Sequence, residues 1–148
     1  MLPKRRLPMP LTRVPTILVV DDADVVRKSA ARCLRRRGYV VLEAGSAGEA
    51  LALLSANGDK IDLILTDLVL PAMGGAELVA EARRRQPSVG IAYMTGHLGT
   101  SARCETVLDE EAPILIKPFT PTVLEQRVRE ALAQAGWSSG SPSDYGAH

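Results

Sequence analysis

Short apolar runs punctuate this chain, and the stretches between them are long enough and patterned enough to be helices. Thr16-Ile17-Leu18-Val19-Val20, Tyr39-Val40-Val41-Leu42-Glu43-Ala44, the run from Ile61 to Leu70, Gly90-Ile91-Ala92-Tyr93-Met94 and Pro113-Ile114-Leu115-Ile116 are rich in β-branched residues. Runs this short and this apolar, bounded by Gly and Pro, read as parallel strands buried on both faces. After the first run, Asp24 is placed to cap a helix reaching about Arg37. Val25, Val26, Ala30, Cys33 and Leu34 would face inward, with Arg27, Lys28, Arg32, Arg35, Arg36 and Arg37 outside. That basic face reads as a solvated surface, with attraction of an acidic partner as the alternative. Gly38 ends the helix as a left-handed cap would.

The remaining helices carry their own signals. Ser46 and Glu49 make a capping box ahead of Ala50, Leu51, Leu53 and Leu54, and Asn57-Gly58 stops that helix. Gly74 and Gly75 open a loop that a helix from Ala76 to Arg83 closes, ended near Pro87. Thr120-Pro121 starts a last amphipathic helix through Val123, Leu124, Val128, Ala131 and Leu132, with Pro121 tolerated in its first turn. Strands alternating with helices make βα units, and right-handed crossovers wind these into an α/β, doubly wound parallel sheet.

Residues 1–15 hold four prolines among Lys4, Arg5, Arg6 and Arg13 and read as a flexible basic arm. Residues 136–148, rich in Gly, Ser and Pro, read as a disordered tail, which leaves 16–135 as the domain. Between Gly96 and Glu111 the signals conflict. Gly96, Gly99 and Thr100 favour a loop, Ser101 to Leu108 could form a short helix, and the expectation is a mobile segment.

Composition narrows the function. A chain of 148 residues with 46% hydrophobic residues fits one domain able to fold alone, and 3% aromatics makes its core aliphatic. A formal charge of +1 gives no global case for binding nucleic acid or membrane. No apolar run approaches the ~20 residues that span a bilayer, and the start lacks a signal peptide's apolar core, so the expected place is the cytoplasm. Cys33 and Cys104 have neither CxxC spacing nor a His cluster, so neither a metal site nor a disulfide framework is expected of them.

The chemistry collects at the strand ends. In open parallel sheets the ligand crevice lies beyond the carboxyl ends of the strands, and the third run delivers Asp67 there. Alone, Asp67 reads equally as the start of a turn ahead of Pro71 and Gly74. Three other strand ends carry matching groups: Asp21-Asp22, Thr95-Gly96 and Lys117-Pro118-Phe119. Three carboxylates brought together repel one another and need a cation among them. Oxygen ligands in that number suit Mg²⁺, a hard ion that keeps positions for water and phosphoryl oxygens. Asp21 or Asp22 could instead cap the first helix, but a cap needs one acid and no Asp67 opposite.

This ordered set resembles the receiver domain of bacterial two-component response regulators. That pattern has an acidic pair after strand 1, a phospho-accepting Asp after strand 3, Thr or Ser after strand 4 and Lys-Pro after strand 5. The resemblance covers residues 15 to 135. It implies a flavodoxin-like five-stranded sheet of order 2-1-3-4-5 with helices on both faces. It also implies that Asp67 attacks a phosphoryl group carried by a histidine kinase, a histidine phosphotransfer protein or a small donor such as acetyl phosphate. Asp22 and Asp67 would ligate Mg²⁺ directly, Asp21 mainly through water, with the Val69 carbonyl completing the protein's share. Lys117, turned toward Asp67 by a cis peptide to Pro118, would neutralise charge on the transferring oxygens. Thr95 would give its hydroxyl to the phosphoryl group and move inward, converting modification into a change of shape. Such a domain accepts a phosphoryl group and loses it by autodephosphorylation; it is not counted as an enzyme.

One position departs from the family pattern. Many members carry Tyr or Phe three residues before the lysine, and here that residue is Ile114. Phe119 and His97 do not obviously replace it. The endings Met94-Thr95-Gly96 and Lys117-Pro118-Phe119 look closest to receivers of hybrid histidine kinases and their single-domain relatives. An aspartyl-phosphate phosphatase is the alternative, but those enzymes want a second Asp two residues after the nucleophile, where this chain has Val69. A flavin-binding module lacks its Ser/Thr-rich phosphate loop after strand 1. Neither flank has room for an output domain, so the signal is expected to leave through residues 96–111 and the face they share with strand 5 and the last helix. A protein partner, or a second copy in a phosphorylation-dependent homodimer, would bind there.

Overall fold

The computed structural model describes residues 14–57, 60–96 and 112–137. Their elements run β1 (Thr16–Val20), α1 (Asp24–Arg36), β2 (Val40–Ala44), α2 (Ala47–Asn57), β3 (Leu63–Asp67), α3 (Gly75–Arg85), β4 (Gly90–Thr95), β5 (Ile114–Ile116) and α4 (Pro121–Gln134). The strands form one parallel sheet in the order β2-β1-β3-β4-β5. With helices on both faces this is the doubly wound, flavodoxin-like architecture expected.

The two faces follow from strand alternation. Ile17, Val19, Leu63, Leu65, Ala92, Met94 and Leu115 point to one side, where α1 brings Ala30, Ala31 and Leu34 and α4 brings Leu124, Val128, Ala131 and Leu132. Leu18, Val20, Ile64, Ile91 and Tyr93 point to the other, against Ala47, Ala50 and Leu54 of α2 and Leu78, Val79 and Ala82 of α3. Each fully buried side chain of this size contributes about 1.5–3 kcal/mol, so the aliphatic layers hold the central strands rigid up to their last residues. Among the described residues no helix is long and apolar enough to cross a membrane.

The helix ends largely obey their local signals. Gly38 follows α1 with φ of 101°, the left-handed conformation that glycine takes without strain. The Glu49 amide donates to Ser46 Oγ at 3.1 Å, while the Glu49 carboxylate reaches back one residue further than expected, to the Gly45 amide. Thr120 caps α4 by accepting from the Val123 amide at 3.1 Å, with Pro121 in the first turn.

Four expectations are corrected. Asp24 is not the cap of α1: that place falls to Ala23, with no side-chain cap, and Asp24 lies in the first turn paired with Arg27 at 2.7 Å. Val25 does not face inward but is 81% exposed, and Ala31 is buried instead, so the buried stripe of α1 is Ala30, Ala31 and Leu34. Val14 and Pro15, expected in the basic arm, belong to the fold: Val14 packs on the core and the Pro15 carbonyl accepts from the Val40 amide at 3.2 Å. Gly136 and Trp137, expected in the tail, belong to the fold: Gly136, with φ of 103°, turns the chain and Trp137 is 3% exposed within the α1/α4 layer. Most of the segment 96–111, including His97 and Cys104, lies outside the described residues, as do 1–13 and 138–148.

Candidate functional site

The alternation that builds the core also builds the site. Carried two residues beyond Val19, Leu65 and Leu115, it puts Asp21, Asp67 and Lys117 at the same end of the sheet and on the same side. The ladder persists to that point, since the Asp21 amide donates to the Ala44 carbonyl at 3.1 Å. Lys117 starts two strands away from Asp67, a span of about 10 Å, and its long stem covers the distance. Its Nζ donates to Asp67 Oδ2 at 2.7 Å and to Asp21 Oδ2 at 2.8 Å. The Lys117-Pro118 peptide is cis, as the resemblance implied.

Each acid is held differently. Asp21 is fully buried, and its Oδ1 accepts from the Ala23 amide at 2.9 Å. Asp67 is 7% exposed, and its Oδ1 accepts from the Val69 amide at 3.0 Å. Asp22 is exposed, and its carboxylate makes no hydrogen bond or ion pair with the described residues. One oxygen from each of the three lies within 4.8 Å of the others. Three carboxylates, two of them buried and one exposed, stand against one ammonium, and that donor set fits a divalent, oxygen-preferring cation. Burial opposes the charge on Lys117, but the hydrogen bonds it donates to Asp21 and Asp67, with their negative charge, outweigh it and raise its pKa above the ordinary lysine value. Lys117 therefore stays an ammonium across the neutral range.

The other expected residues stand nearby. Thr95 is buried at the end of β4, and its carbonyl accepts from the Lys117 amide at 2.8 Å, which ties the two strand ends together. Val69 is 58% exposed in the loop after β3. Ile114, the residue at the aromatic position, pairs with Tyr93 in the sheet register and is half-buried against the α2/α3 layer. The loop beyond Asp67 is short because α3 begins hard against it: a Cβ on Gly75 would lie 2.1 Å from the Asp67 carbonyl oxygen. Only glycine allows that approach.

One participant is not visible in the sequence pattern. Arg27 was expected on the solvated outside of α1, yet its side chain is only 12% exposed. Its Nη1 donates to the Asp21 carbonyl at 2.9 Å and its Nε to Glu43 Oε1 at 3.2 Å. The one signal for it in the sequence is Glu43, since a charge inside a strand calls for a cation across from it.

Comparison with known proteins agrees with this geometry. The model of the response regulator receiver domain matches residues 17–129. Sensor kinase CckA of Brucella abortus (strain 2308) is 34% identical over 117 residues, covering 79% of this chain but 12% of that protein. A chemotaxis protein CheY homolog of Campylobacter jejuni subsp. jejuni (strain 81-176) is 34% identical over 122 residues, 78% of this chain and 91% of that protein. The crystal structure of a response regulator receiver protein from Sinorhizobium medicae WSM419 superposes with a TM-score of 0.74 at 27% identity, covering 83% of this chain and 98% of that one. Acids at the ends of β1 and β3 tied by a lysine from β5, on a sheet of this order and with a family match spanning nearly the whole described fold, have one common explanation: the chain belongs to the response regulator receiver domain family of two-component systems.

Proposed function

We propose that this protein accepts a phosphoryl group on Asp67 in a Mg²⁺-dependent step of two-component signalling, and passes the signal on by changing its protein contacts. The observation that carries the reading is the Lys117 ammonium shared by Asp21 and Asp67 inside a cluster of three carboxylates. An oxygen of Asp67 forms the new bond to phosphorus while the bond from phosphorus to the donor's imidazole nitrogen breaks. That nitrogen leaves with the electron pair and takes up a proton, and the product is an acyl phosphate. Asp22 and Asp67, with the Val69 carbonyl and with Asp21 mainly through water, would hold Mg²⁺, which when bound would supply positive charge against the phosphoryl oxygens. Lys117 supplies a fixed positive charge of its own and needs little reorganisation to do so, because it already points at Asp67. Thr95 gives its hydroxyl to the phosphoryl group and carries the change toward β5 and the segment after β4.

The donor is a histidine kinase or a histidine phosphotransfer protein, in the cytoplasm, in keeping with the similarity to a sensor kinase's segment and to a chemotaxis protein. Val69 stands where a phosphatase of related chemistry would place its general acid, which favours the phosphoryl-accepting reading over the phosphatase one. The test is intact-mass measurement after incubation with acetyl phosphate. Mg²⁺ is expected to give a gain of one phosphoryl group, abolished by EDTA. Labelling that persists in EDTA, or no labelling with Mg²⁺, contradicts the proposal.

A further inference from the structure

Arg27, hidden in a run of surface cations, reaches the backbone beneath the acidic cluster. We propose that Arg27 is a positioning residue for this site: its guanidinium holds the Asp21 carbonyl and so fixes the Asp21-Asp22 peptide plane from which both acids reach Asp67. The proposal rests on the reading of the cluster as a cation-dependent site.

Asp22 is the acid that depends on this plane most. Its carboxylate has no protein partner among the described residues, so its direction is set by the backbone that carries it. The carbonyl oxygen of Asp21 and the amide nitrogen of Asp22 belong to one rigid plane. Arg27 Nη1 holds that oxygen at 2.9 Å. The amide on the other side of Asp21 is held by the Ala44 carbonyl, and the Asp21 side chain by Ala23 and Lys117. With Arg27 in place, the backbone at Asp21 is fixed on both sides and Asp22 begins from a set direction.

Arg27 itself is locked. Nε meets Glu43 at 3.2 Å and Nη2 meets Asp24 at 2.7 Å, so one planar fork spans β2, the first turn of α1 and the loop between β1 and α1. Gly45 leaves the space the fork occupies: a Cβ there would stand 3.2 Å from Nη1. Two carboxylates on one guanidinium also cancel its charge locally. Arg27 thus contributes geometry to the acids and does not compete with a cation for them.

Arg35 provides the control. It binds the same Glu43 at 3.1 Å and a backbone carbonyl, that of Val41, at 2.9 Å, but touches nothing in the loop of acids. Mg²⁺ affinity is measured by isothermal titration calorimetry on the wild type, Arg27→Gln, Arg27→Lys and Arg35→Gln, beside their thermal unfolding. Loss of the carbonyl contact is expected to weaken Mg²⁺ by roughly three- to tenfold in Arg27→Gln. Arg27→Lys keeps the charge but not the fork and is expected to be weakened too, while Arg35→Gln binds as the wild type does. Labelling by acetyl phosphate in Arg27→Gln is expected to recover when Mg²⁺ is raised to saturation, which a group touching the phosphoryl would not allow. Equal Mg²⁺ affinity in the Arg27 variants and Arg35→Gln overturns the positioning role and leaves Asp67 as acceptor untouched. No Mg²⁺ binding by the wild type overturns it together with the reading it rests on.

Discussion

At Lys117 two carboxylates share one cation, and removing it separates the roles of the site. Lys117→Ala leaves the buried Asp21 facing Asp67 without a counter-charge, a loss of roughly 1–3 kcal/mol for groups so stripped of partners. Added Mg²⁺ supplies that charge, so the deficit is expected to be present in EDTA and largely closed by Mg²⁺ in thermal unfolding. Phosphorylation of the variant would then proceed without its normal conformational response. A deficit that Mg²⁺ does not reduce would make the lysine purely structural. At this scale Asp21, Asp67 and Lys117 were legible because a residue at the end of a buried strand has its direction set by period-two alternation. Arg27 was not: on a helix crowded with cations, hydrophobic periodicity says which side is apolar but not which cation finds a carbonyl and two carboxylates.

At the scale of elements, α4 is longer in its consequences than its sequence pattern suggests. Gly136 reverses the chain after the helix, and the amides of Gly136 and Trp137 return to the carbonyls of Ala133 and Leu132 at 3.0 and 2.9 Å. This C-terminal closure seats Trp137 in the layer between α1 and α4. Trp137→Ala is expected to cost about 3–5 kcal/mol, the range for a large buried aromatic, with truncation after residue 135 costing a similar amount. Urea unfolding followed by circular dichroism measures both, and a change under about 1 kcal/mol, well below that range, would return Trp137 to the tail. The sequence concealed this because a single Trp amid Gly, Ser and Pro carries no periodicity, and only the neighbouring helices reveal its place. Strands and the Ser46 and Thr120 caps, whose signals are local, were legible nearly to the residue, while the cap of α1 was not.

At the scale of the whole molecule, two aliphatic layers hold five strands so that their carboxyl ends form one floor. Strand order needed the family resemblance, since apolar runs alone do not say which strand is a neighbour of which. Once the order is given, chemistry scattered over residues 21 to 117 becomes one site. The central claim is that Asp67, and neither Asp21 nor Asp22, takes the phosphoryl group. Borohydride reduces an aspartyl phosphate to homoserine, so trapping after acetyl phosphate and Mg²⁺, with peptide mass spectrometry on the product, reads the site directly. Homoserine at position 67 alone, lost when Asp67→Asn is treated in the same way, is the predicted result. Homoserine at position 21 or 22, or an adduct that borohydride does not convert, would contradict the account.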